Sequence, residues 1–188
     1  MNLTIPQGST LSVFAVGGGG AANGGTAGSS GFFKHRTVAI NKTQSLVLDI
    51  TIGNGGSYSG ADGQNTTVLG LPSLSLFGSP EVSAQGGGGA GGPGWSGVSG
   101  DTGGFNGNYG SHEQLPILCP AGNAPSLTPG LAGSNQSDGK GAGGVIVDGE
   151  KPARRGHMDG EGYGAGGGED DRSGYPGIVV LTLCDPDP

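Results

Sequence analysis

The sequence predicts an all-β sandwich or barrel whose connecting loops are long and rich in glycine. Three observations carry this prediction. The large apolar residues are clustered: 27 of the 37 Leu, Ile, Val and Phe fall in 1–16, 37–52, 67–77, 145–147 and 178–183, which together span 52 of the 188 residues. Within these stretches apolar and polar residues alternate with period two, the repeat of a half-buried strand. Between them glycine is too frequent for an amphipathic helix to propagate, since 46 residues are Gly and 12 are Pro. The chain lacks the strict Gly at every third position that collagen needs.

The elements follow in order. Leu3-Thr4-Ile5 and Leu11-Ser12-Val13 open the chain as strands. In Leu46-Val47-Leu48-Asp49-Ile50-Thr51-Ile52 the residues at 46, 48, 50 and 52 share one face, and Asp49 and Thr51 take the other. Leu74-Ser75-Leu76 and Leu181-Thr182-Leu183 alternate in the same way. Val145-Ile146-Val147 and Ile178-Val179-Val180 are short β-branched runs, each preceded by Gly. Eight or nine short strands in one domain over 1–188 imply a sandwich or barrel.

The glycine tracts lie at 17–31, 53–63, 86–110, 133–144 and 156–177. Flexible linkers join domains, but these tracts interrupt one sandwich again and again. Ordered glycine loses more backbone entropy than any other residue, so a compact domain gains from such loops only if they pack. Gly-rich chain can adopt the polyproline-II conformation, with three residues per turn. Without Cβ atoms such helices can lie side by side and satisfy one another's N–H and C=O groups. Ordered polyglycine-II loops are therefore expected.

The order of motifs resembles a known family. Val13-Phe14-Ala15-Val16-Gly17-Gly18-Gly19-Gly20 is followed by Gly53-Asn54-Gly55-Gly56 and Gly63-Gln64-Asn65-Thr66-Thr67-Val68. Then come Glu81-Val82-Ser83-Ala84-Gln85 with its glycine run, Gly141-Ala142-Gly143-Gly144-Val145, Gly162-Tyr163-Gly164-Ala165-Gly166, and Pro176-Gly177-Ile178. Over residues 3–183 this is similar to the glycine-rich domain family. Its members occur in phage tail-tip and other virion proteins, in extracellular metazoan proteins and in the ectodomain of the anaplastic lymphoma kinase receptor group. The resemblance implies a TNF-like jelly-roll sandwich with polyglycine-II loops, and it brings no catalytic residues.

Charge and motifs narrow the function. Lys and Arg total 8 against 15 Asp and Glu, a net charge of −7, so a nucleic-acid partner would be repelled. No apolar run is long enough to span a membrane. Met1 leads straight into Leu3-Thr4-Ile5-Pro6 with no signal-like segment, which predicts either cytosolic synthesis, as for a virion component, or a trimmed domain. Gly17 to Ala22 fits G-x-G-x-x-A, but no helix can follow it. Gly94-Trp95-Ser96-Gly97-Val98 lacks the last Gly of a nucleophile elbow. His35, His112 and His157 are isolated. Asp148, Glu150, Asp159, Glu161, Glu169, Asp170 and Asp171 crowd the last quarter, and read as a solvated acidic rim or as a calcium site. The expectation is no enzyme, no cofactor and no metal.

The remaining candidates concern binding and processing. Tyr58, Trp95, Phe105, Tyr109, Tyr163 and Tyr175 sit within the glycine tracts, where they either cap the packed glycine segments or anchor a protein or glycan partner. Cys119 and Cys184 are the only cysteines and form either one long-range disulfide or two thiols. Asn2, Asn41, Asn65 and Asn135 head N-x-[ST] sequons, candidate glycosylation sites. The sequence thus predicts a structural or adhesive protein of a virion or extracellular surface, assembling with itself or touching a receptor. A secreted animal matrix or ligand-binding module is the alternative.

Overall fold

The computed structural model describes residues 1–23, 26–58, 60–72, 81–89, 114–119, 124–131, 141–153, 155, 158–168 and 173–184. These contain ten strands and no helix: β1 (Asn2–Ile5), β2 (Thr10–Val16), β3 (Phe33–Ala39), β4 (Gln44–Val47), β5 (Asp49–Thr51), β6 (Thr66–Leu69), β7 (Val82–Ala84), β8 (Leu127–Pro129), β9 (Val145–Val147) and β10 (Ile178–Cys184). All pairings are antiparallel, in sheets of order β10-β2-β3, β5-β6-β7, β1-β4 and β8-β9. The predicted strand at Leu74-Ser75-Leu76 lies outside the described residues. None of the described residues forms a helix long and apolar enough to cross a membrane.

The two three-stranded sheets face each other across the main core, giving the sandwich. Leu11, Val13 and Ala15 of β2 meet Val38, Val68, Val82 and Ala84, and Ile5, Leu46 and Leu48 close one end. The opposite face of β2 is covered as well. Phe14 and Val16 pack with Val180, Leu118 and Val145 in a second cluster. Ser12, the polar residue between Leu11 and Val13, is fully buried on that face. Its hydroxyl lies 2.8 Å from Nε2 of His35 on the neighbouring strand, where burial holds the imidazole pKa below its usual value.

The run from Leu46 to Ile52 is not one strand. It divides at Leu48, with β4 pairing β1 and β5 pairing β6. Leu48 sits at the corner, 1 % exposed, and its N–H donates to the Met1 carbonyl. Period-two alternation continues through such a corner, because both sheets turn the same residues inward. Cys119 and Cys184 are joined as a disulfide, which ties the 114–119 segment to the end of β10 and over the second cluster.

Candidate functional site: the glycine bundle and its rim

Six sandwich strands run directly into glycine-rich segments. β2 continues as 17–21, β5 as 53–56 and β7 as 85–89, while 28–32, 61–65 and 174–177 lead into β3, β6 and β10. A seventh segment, 162–168, joins them. Segment 17–21 follows the central strand of its sheet and becomes the centre of a bundle; residues 17–22 are all buried.

The backbone hydrogen bonds define the geometry. The N–H groups of Gly17 and Gly20 donate to the carbonyls of Phe32 and Ser29, both in segment 28–32. Those of Gly18 and Ala21 donate to Gln64 and Ala61, both in 61–65. Gly19 N–H donates to Tyr175. Partners thus recur every third residue. In return the carbonyls of Gly18, Gly19 and Gly20 accept from Gly87, Gly56 and Gly167, which lie in the other three segments. The central segment therefore donates to three neighbours and accepts from three.

The six neighbours also close a ring. Gln64 N–H donates to Asn54, Gly63 to Gly87, Ser29 to Gly88, Gly28 to Gly167, Tyr175 to Ala165 and Gly174 to Gly56. Buried backbone groups need partners, and here the partners are other glycine segments rather than strands of one sheet. The 141–144 segment packs outside the ring, through Gly166 N–H to Ala142.

Glycine is required by spacing. A Cβ at Gly18 would lie 2.1 Å from the Asn54 carbonyl oxygen, and one at Gly19 only 1.9 Å from that of Ala165. Gly17 and Gly20 would collide in the same way with Gln85 and Gly88. Four successive residues thus abut backbone of three different segments.

Side chains finish the rim. Along 61–65, Asp62 Oδ1 accepts from Gly89 N–H at 2.7 Å and Asn65 Oδ1 from Gly86 N–H at 3.0 Å. Thr66 Oγ1 accepts from Gly53 N–H at 2.9 Å. At another edge Asp159, fully buried, accepts from Gly168 N–H through Oδ1 at 2.6 Å and from the Tyr175 hydroxyl through Oδ2 at 2.9 Å. The Tyr175 oxygen itself accepts from Arg155 N–H, and the Arg155 guanidinium lies 4.7 Å from the Tyr175 ring centroid. Burial first, and the Asp159 carboxylate after it, push the Tyr175 pKa up to about 12.

The predicted aromatics separate. Tyr175 is 2 % exposed and holds the bundle through Asp159. Tyr163 is half-buried, its backbone paired with Val145. Tyr58 is 68 % exposed, between 53–56 and 60–65, with a φ of +22° that non-glycine residues seldom adopt. Trp95, Phe105 and Tyr109 lie outside the described residues, as do His112, His157 and Asn135. Asn2, Asn41 and Asn65 are exposed.

The described acidic residues do not converge on one site. Asp148 accepts from the N–H and hydroxyl of Ser126, Glu161 pairs with Lys151 at 2.8 Å, and Asp159 is buried rather than solvated. Glu169 to Asp171 lie outside the described residues. Among the described residues no three His, Cys, Asp or Glu converge as a metal site. Sequence reasoning missed the bonds of Asp62, Asn65 and Asp159 to glycine N–H groups. The available signal was an acid or amide beside a glycine run, too common to single them out.

A family model described as "Glycine-rich domain" matches residues 1–178, and the chain belongs to that family. No curated protein and no solved structure matches it.

Proposed function

We propose that this glycine-rich domain is a non-enzymatic structural or adhesive module of a virion or extracellular surface. In this reading the sandwich is the base and the glycine segments are polyglycine-II helices forming a stiff projection. The observation that carries it is the return of hydrogen-bond partners every third residue around 17–21, the repeat of a three-residue helix. A projection cross-linked through its own backbone holds its tips in place without a side-chain core, and Tyr58 at one tip supplies an exposed aromatic anchor.

Attachment and location test this reading. The protein should be recovered with virions or cell-surface material on a density gradient of its native source. Tyr58→Ala should weaken attachment about tenfold or more while leaving the melting temperature unchanged. Recovery only as a soluble intracellular protein, with no attachment to any surface, would refute it. The disulfide and the exposed sequons favour a second reading, a secreted matrix or ligand-binding module. That module would appear in the medium, unattached to capsids.

A further inference from the structure

We propose that the groove between segments 61–65 and 85–89 is a binding site for an uncharged glycan; the inference deepens the adhesive reading and rests on it. The groove is a small open cleft of about 170 Å³ lined by Asp62, Asn65 and Gln85 with backbone of Gly63, Gly86 and Gly88. That is space of the order of one sugar unit.

The chemistry follows from how the lining is held. Asp62 and Asn65 are three residues apart, and so are Gly89 and Gly86, whose N–H groups they cap. Each cap uses one oxygen, Oδ1. It leaves Asp62 Oδ2 as an acceptor and Asn65 Nδ2 as a donor, and the exposed Gln85, also in the lining, offers an amide that can do both. Each sugar hydroxyl can donate one hydrogen bond and accept others. A row of fixed acceptors and donors suits adjacent hydroxyls, and the backbone caps pre-order the side chains, which lowers the entropy lost on binding. Asp62 and the net charge of −7 disfavour sulfated or sialylated glycans. A second copy's glycine segment fits less well, because the outward N–H groups it would need at Gly86 and Gly89 are already capped.

The test uses the full chain made in bacteria, which leaves Asn65 unglycosylated. It would be titrated with a panel of neutral gluco-, galacto- and manno-oligosaccharides and their sialylated and sulfated counterparts. At least one neutral oligosaccharide should bind saturably. Asp62→Asn and Asn65→Asp keep the Oδ1 caps but exchange an acceptor for a donor or the reverse. Each should lower that affinity tenfold or more with the melting temperature unchanged, and Gln85→Ala should lower it less. Absence of saturable neutral-glycan binding, binding confined to anionic glycans, or neutral binding unaffected by Asp62→Asn and Asn65→Asp would each overturn the proposal. If those two variants still attach to the native surface at wild-type strength, the groove assignment fails while the adhesive reading stands. If the isolated chain binds neutral glycans but attaches to no surface, the adhesive reading fails instead.

Discussion

Val13 and Gly17 lie four residues apart in the same continuous stretch and are buried by opposite means. Val13 fills space with its side chain between two sheets, among Leu11, Val38 and Val68. Gly17 is buried because it has no side chain, and neighbouring backbone occupies the place a Cβ would take. The sandwich is held by apolar area removed from water, roughly proportional to what is buried. The bundle has little such area to bury, and its cohesion is the mutual satisfaction of N–H and C=O groups. Sandwich positions should therefore tolerate graded changes in size, whereas central bundle positions should respond all or none.

The largest expected effect breaks that comparison most sharply. Gly19→Ala adds one methyl, yet places it against a backbone carbonyl that cannot move without its own segment. Loss of cooperative folding is the expected outcome, beyond the roughly 4–5 kcal/mol that marks exceptional substitutions. Leu11→Ala removes far more volume from the sandwich but should cost only about 2–5 kcal/mol and leave a folded protein. Thermal melts of both variants decide the point; a Gly19→Ala protein as stable as wild type would contradict it.

Next in size is the disulfide. It closes a loop with a sequence separation of 65, and reducing it should lower stability by about 2–5 kcal/mol. The loss should fall on the sandwich side, where 114–119 covers Phe14 and Val180. Denaturant melts with and without reductant would measure it, and exchange at Gly18 and Gly19 should change only as global stability does.

Tyr175→Phe probes the bundle edge. It removes the hydroxyl donated to Asp159, so a buried carboxylate loses one of its hydrogen bonds, which should cost about 1–3 kcal/mol. The same bond predicts a pH effect. Because the folded pKa lies above the ordinary tyrosine value of 10.0, the Tyr175 contribution is complete below pH 10 and is lost as pH rises toward about 12. A phenolate absorbance titration of wild type should contain one tyrosine that ionises late, absent in the Phe variant. His35 gives the opposite sign. Its folded pKa is lowered by burial, so its contribution is present above pH 6.5 and is lost as pH falls below that value.

The smallest effect is a control. Gly149 has a φ of +78°, but a Cβ there would meet nothing within 4 Å. Gly149→Ala should cost about 1 kcal/mol from backbone strain alone. The contrast with Gly19 separates a glycine needed for conformation from one needed for space.

The legible parts of this fold are those with a local cause. β9, β10 and the position of β2 follow from short-range pattern, and the boundaries between strands and glycine tracts follow from composition. The expectation that the tracts pack came from the cost of ordering glycine, and the backbone partners of Gly17 to Ala21 agree with it. What stayed hidden depends on neighbours distant in sequence. Nothing near Leu48 marks the sheet corner, because the inward periodicity is unbroken there. Ser12 looks like a solvent-face residue until the second cluster covers that face of β2. Asp159 differs from Glu161 by no local feature; only the approach of Tyr175 and Gly168 buries the one and leaves the other beside Lys151. Which tract is central was equally unreadable, since it depends on β2 being the middle strand of its sheet.

Backbone hydrogen bonds hold the centre of the bundle as firmly as side chains hold the sandwich. Native-state amide exchange measured residue by residue tests it most directly. Gly18, Gly19 and Gly20 should exchange only through global unfolding, with the same opening free energy as Val13 and Phe14 of β2. Exchange of those glycines at random-coil rates, while β2 stays protected, would contradict it.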